Sequence, residues 1–221
     1  EDAHTRLVGA LRGLPDPASV ESVELLIELT LNEFYRSRYE AMPHWAGRAV
    51  ADADVVGDAA LRAAALAMPA LAAAMTGPTE VARSHCVEAA AFLDALSDDE
   101  LSLRPDAASW LAAAELYLDR YAEADAHASR ALGLARATGR GDPLFRLYPI
   151  LPRIWYVHGK LAEAAELLDG AIEAGRLLGR GVAPGEEGVA AQALAAQLGL
   201  GTAIVTAGAS GSAASDGQQI V

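Results

Sequence analysis

Basic residues, aromatic residues and cysteine are all scarce in this 221-residue chain. Lys and Arg number 17 against 30 Asp and Glu, a formal net charge of −13, whereas a protein that grips a phosphate backbone needs a basic footprint. Direct nucleic-acid binding by this segment is therefore not expected. A single cysteine, Cys86, excludes an internal disulfide framework and any cysteine-based zinc cluster. No basic stretch followed by an apolar one opens the chain, so the pattern of a secretory signal is missing. The longest apolar run, 63–75, is 13 residues long and contains Pro69, short of the roughly 20 that a spanning helix needs. Residues 189–215 carry no charge, but they are Ala, Gly, Ser and Gln rather than Leu and Ile. A cytoplasmic protein without a membrane partner is the expectation.

Recognisable chemistry is missing as well. There is no G-x-x-x-x-G-K-[ST] loop to cradle phosphates and no H-E-x-x-H pair. The five histidines (His4, His44, His85, His127, His158) stand singly. His85 and His127 fall at nearly equivalent points of a repeat described below, and a hydrogen-bonded or solvated role suits them better than a metal site. Asp98, Asp99 and Glu100 follow Ser97 with the spacing of a capping box, which accounts for that acidic cluster. Ser210 lacks the G-x-S-x-G spacing and the strand context of a nucleophile loop. Neither an enzyme, nor a cofactor, nor a metal centre is expected.

What the chain has in abundance is alanine, with leucine behind it, inside a hydrophobic share of 52% of which aromatics supply only 5%. Both are strong helix formers, and strand-favouring residues are sparse. The fold class read from this is all-α. Comparing the chain with itself sharpens that reading. Tyr39, Thr79, Tyr121 and Leu161 each follow a short turn and precede an acidic and a small residue, and they are spaced by 40, 42 and 40 residues. The helix after each turn repeats a stripe of mostly small residues: Met42/Ala46/Ala49, Ala82/Cys86/Ala89, Ala124/Ala128/Ala131 and Ala164/Leu168/Ala171. An i, i+4, i+7 set lies on one face of a helix, and small side chains let a neighbouring helix come close. Cys86, in the middle of such a stripe, reads as a packed thiol.

Each repeat is therefore expected to be a helical hairpin of about 40 residues. First helices are expected over 21–37, 58–75, 106–119 and 143–158, and second helices over 39–55, 79–96, 121–138 and 161–178. Gly57, Gly139 and Gly179 suit C-terminal caps, Asp58 and Asp142 suit N-caps, and Pro143 suits a first turn. Pro69 and Pro152 fall inside first helices and are expected to kink or shorten them. Residues 1–20 read as the end of a preceding helix and a linker. The hairpins follow at about 21–57, 58–97, 98–141 and 142–180. A partial fifth helix (186–198) and a low-complexity, unstructured tail occupy 181–221. The chain starts with Glu1 rather than Met and shows no polar capping helix, so it is expected to be a piece of a longer protein.

The run 110–124, with Trp110, Glu115, Tyr117, Arg120 and Tyr121, followed by Ala128 and Ala131, resembles a tetratricopeptide-type hairpin lengthened beyond its standard 34 residues. Together with the runs around Thr138, Gly139 and Gly141 and from Gly159 through Gly179, it is similar to the superhelical sensor arm of large LuxR-type regulators related to the maltose-regulon activator. That resemblance implies a right-handed superhelical solenoid of four hairpins, non-catalytic, sensing a small effector or binding a protein or peptide partner. An adjacent ATPase module and a helix-turn-helix domain would lie outside these residues. The alternative is a stand-alone adaptor that binds a peptide segment of a partner. In either case first helices line the inner face of the solenoid. Candidate groove residues on or beside them are Tyr35, Arg36, Trp110, Tyr117, Arg120, Tyr148, Arg153 and Trp155, since aromatics with arginine suit a peptide, an acidic group or a sugar-like ligand. Packing between hairpins is the competing role for each aromatic.

Overall fold

The computed structural model describes residues 3–138, 146–179, 203–206 and 212–215. Their regular structure is helical apart from one antiparallel pair of four-residue strands, β1 (Ala203–Thr206) and β2 (Ser212–Ser215), in the segment read as an unstructured tail. The helices are α1 (Ala3–Arg12), α2 (Val20–Tyr35), α3 (Met42–Val56), α4 (Ala59–Thr76), α5 (Thr79–Asp94), α6 (Asp98–Leu101), α7 (Asp106–Tyr117), α8 (Tyr121–Thr138), α9 (Leu151–Val157) and α10 (Leu161–Gly179). Two compact units, Glu1–His127 and Ala128–Val221, meet inside α8. The partial fifth helix, Gly139, Asp142 and Pro143 lie outside the described residues.

Local chemistry sets most boundaries. Ser19 and Ser22 form a reciprocal capping box at the start of α2, and Ser22 Oγ also donates to Asp52 of α3 at 3.0 Å. Asp58 accepts from the Leu61 N–H at 2.8 Å and caps α4, while Gly57 before it takes the left-handed conformation at φ 74°. Ser97 and Glu100 cap each other as their spacing implies. Pro152 sits in the first turn of α9 and leaves that helix only 7 residues long. Pro69 does not shorten its helix: α4 runs unbroken for 18 residues. Tertiary burial overrides the local cost there, because α4 packs against α2, α3, α5 and α7. By length and composition α4 could also cross a membrane, with mean hydropathy 1.5, yet 67% of it is buried, as expected of a core helix.

Three of the four turns that join a first helix to its second helix share one backbone geometry. Ser37, Asp119 and Gly159 are left-handed, with φ of 56°, 58° and 73°. The next N–H, of Arg38, Arg120 or Lys160, donates five residues back to the carbonyl of Glu33, Glu115 or Trp155 at 2.9, 2.9 and 2.8 Å. The N–H of each left-handed residue bonds three back, to Phe34, Leu116 or Tyr156. Both bonds together make a Schellman motif, which satisfies the last carbonyls of the first helix and reverses the chain. The second turn is built otherwise. Gly77 is extended before Pro78, and a Cβ on it would lie 3.0 Å from the Ala73 carbonyl oxygen, so glycine here eases a close approach rather than a φ.

The small-residue stripes form the seams. Met42, Ala46, Ala49, Ala82, Cys86, Ala124, Ala128 and Ala131 are completely buried, and Ala89 nearly so. In the fourth hairpin Ala164 is buried, while Leu168 is 42% exposed beside exposed Leu161 and Ile172. That stripe is not sealed among the described residues.

Two substitutions test this account by chemical denaturation. Ala46→Leu forces extra volume into a closed seam and is expected to destabilise by about 1–3 kcal/mol. Ser37→Gly removes the Cβ penalty of a left-handed residue and is expected to stabilise by about 1 kcal/mol.

Candidate functional site

The eight candidate groove residues fall into separate places. In the first unit, Tyr35 and Trp110 rings stand 6.4 Å apart, and Phe34 reaches Trp110 at 6.4 Å and Tyr117 at 6.5 Å. The ends of α2 and α7 therefore meet through an aromatic cluster. Trp110 is only 4% exposed and is a packing residue, whereas Tyr35 (68%) and Tyr117 (41%) keep accessible faces. Arg36 beside them is half-buried. Arg120 is held by Glu123, with Nη2 and Nε at 3.0 and 3.2 Å from one carboxylate oxygen. In the second unit Tyr148 and Trp155 are half-buried and line a cleft, and Arg153 is exposed on α9.

That cleft has a volume of about 220 Å³. Leu132 and Arg136 come from α8, Tyr148 precedes α9, Trp155 lies on it, and Glu163, Glu166, Leu167 and Gly170 come from α10. Burial pushes the Tyr148 phenol above its ordinary pKa, and the neighbouring Arg136 charge partly opposes this. A second cavity, about 390 Å³, lies in the first unit among α3, α4 and α5. The step that carries Thr79 to Leu161 also carries its Val81, His85 and Glu88 to Glu163, Leu167 and Gly170 of the cleft. The step from Tyr39 to Tyr121 carries Val50 to Leu132. Both cavities thus occupy one position of the repeat, between consecutive second helices and over the first helix of the later hairpin. They differ in chemistry: the first-unit cavity is walled by Pro43, Val50, Leu66, Pro69 and Val81.

Residues equivalent to Trp155 in the other hairpins are Glu33, Ala73 and Glu115. Ala73 lines the first-unit cavity, and both glutamates are buried and paired with histidine. Glu33 lies 2.6 Å from His4 Nδ1 of α1. Glu115, fully buried, lies 2.7 Å from His127 Nδ1, and His127 Nε2 is 3.3 Å from the exposed carboxylate of Asp94. Single-residue reading missed both pairs; lining up Glu33 with Glu115 across two repeats is the signal that finds them. Arg104 was missed too: it forks onto Asp106 through two 3.0 Å bonds and reaches Glu24 at 3.4 Å, tying α7 to α2.

No family model matches this chain, and no curated protein does. Function is therefore argued from the geometry.

Cys86 faces Glu115 and Arg120 inside this first-unit core. Burial, reinforced by the Glu115 charge and offset in part by Arg120, pushes its thiol up to about 11. A thiol held protonated and completely buried is a poor nucleophile. Native protein at pH 8 is expected to alkylate with iodoacetamide at least ten-fold more slowly than the unfolded chain. Comparable rates would contradict the packing of α5 described above.

For His127, burial alone disfavours the cation, but the hydrogen bond to Glu115 and the charges of Glu115 and Asp94 outweigh it and raise the pKa above its ordinary 6.5. A raised folded-state pKa gives stability that is complete below the unfolded value and lost as pH climbs through the folded one. Unfolding free energy is thus expected to fall from pH 6 towards alkaline pH. His127→Gln should flatten that slope and, by leaving Glu115 without its cation, destabilise at pH 6 by about 3 kcal/mol. Denaturant titrations of both proteins across this range check the sign.

Proposed function

We propose that this chain is a non-catalytic, tetratricopeptide-like hairpin array, cytoplasmic, acting as the ligand-sensing and protein-interaction arm of a LuxR-type transcriptional regulator. One observation carries the repeat part of the reading. Schellman turns of one geometry recur at Ser37, Asp119 and Gly159, at the spacing by which the sequence repeats. In this reading four hairpins stack as a right-handed solenoid, in which each hairpin contacts mainly its neighbours and the outward surfaces are left for recognition. The signal would be a small effector or a partner segment that binds one arrangement of the parent protein better than another and so shifts its population. ATP hydrolysis and DNA binding are assigned to other parts of that parent.

The exposed faces of Tyr35, set against buried Trp110, and of Tyr117, set against Phe34, favour a second reading. Rigid aromatics backed by a packed core suit capture of a peptide by a stand-alone adaptor.

The genomic reading frame separates the two. A P-loop upstream and a helix-turn-helix downstream, continuous with this segment, are expected for the regulator arm. A start codon directly before Glu1 with a stop directly after Val221 would overturn it and leave the adaptor.

A further inference from the structure

We infer that the cleft of the second unit is a binding site for a small zwitterion, a molecule with an ammonium group and a carboxylate on a short carbon frame. The inference concerns the cleft alone and stands apart from the parent protein's identity. Its first support is the charge set. Arg136, Glu163 and Glu166 converge on one cavity of about 220 Å³, and none of the three makes a side-chain ion pair among the described residues. Opposite charges facing a shared space without closing on each other leave partners for both ends of a dipolar ligand. Guanidinium can hold a carboxylate through two parallel N–H donors, and the two glutamates attract an ammonium charge and accept from any N–H it carries.

The second support is the aromatic wall. Trp155 and Tyr148 are half-buried and border the same space, so an ammonium drawn to the glutamates would lie against ring faces that attract cations. The volume is below the roughly 300–1,000 Å³ of drug-sized sites, which suits an amino-acid-sized molecule.

The third support is internal. The first-unit cavity occupies the same repeat position and serves as a built-in control for what the fold alone produces. There Asp54, Ala73, Val81 and Ser84 stand where the cleft has Arg136, Trp155, Glu163 and Glu166. The one charge in that set, Asp54, is already paired with Arg62 at 2.6 Å. Helix geometry therefore supplies the concavity in both places, and four residue choices give the second-unit cleft its unpaired charges and aromatic wall.

Isothermal titration calorimetry on the full chain tests this with glycine betaine and β-alanine (both ends present), choline (cation only) and acetate (anion only). At least one zwitterion is expected to bind saturably, at least ten-fold tighter than choline, with acetate weaker still. Arg136→Gln should lower the zwitterion to the level of choline and leave choline unchanged. The double substitution Glu163→Gln with Glu166→Gln should abolish both, with unchanged thermal melting because all three side chains lie on exposed positions. Equal binding of choline and betaine, indifference to Arg136→Gln, or no heat from either zwitterion would each overturn the inference.

Discussion

Close approach of helix backbones at alanine-sized seams is the constraint on which the rest depends. A stripe of Ala46 and Ala49, of Ala82, Cys86 and Ala89, or of Ala124, Ala128 and Ala131 offers little side-chain volume between two helices. Their backbones can therefore pack tightly, and larger residues such as Leu26, Met68, Leu71 and Leu111 are displaced to the centre, where they are fully buried. Cys86 belongs to this seam by size, and its protonated thiol follows from the same burial. Even α4, almost wholly apolar, is explained by being surrounded, chiefly by α2, α3, α5 and α7.

Burying so much of each first helix creates an electrostatic problem at its C-terminal end. Glu33 and Glu115 stand two residues before their helices end, and both are enclosed. A carboxylate removed from water is tolerated only when paired, and each meets an imidazole: His4 for Glu33, His127 for Glu115. The partners come from different directions, one from the helix before the hairpin and one from its own second helix. Repetition of the backbone thus gives both glutamates the same place while leaving the choice of partner to context.

Hairpins two and four hold Ala73 and Trp155 at that place, and each has a cavity beside it. One repeat geometry carries an apolar hollow in the first unit and a charged, aromatic cleft in the second. Fold and chemistry are separable here, because the concavity comes from the spacing of second helices and its selectivity from four side chains.

Periodicity made the helices legible before any coordinates. The 40, 42 and 40 residue steps locate every turn, and the caps at Gly57, Asp58 and Ser97 are local chemistry that a capping residue performs wherever its helix goes. The seams were legible for the same reason, since spacing of i, i+4 and i+7 defines a face without reference to its partner. Site residues were less so. Trp110, Tyr148 and Trp155 were all expected on first helices, yet Trp110 closes an aromatic cluster while the other two border a cleft, Tyr148 from the turn before α9. Sequence by itself determined the helices, their caps and the buried stripes of α3, α5 and α8, because those depend on residues within one or two turns of each other. Only tertiary structure decided which glutamate meets a histidine, that Pro69 is absorbed by the core, and which aromatics face open space. Those outcomes depend on helices brought together from tens of residues apart, and no local period records them.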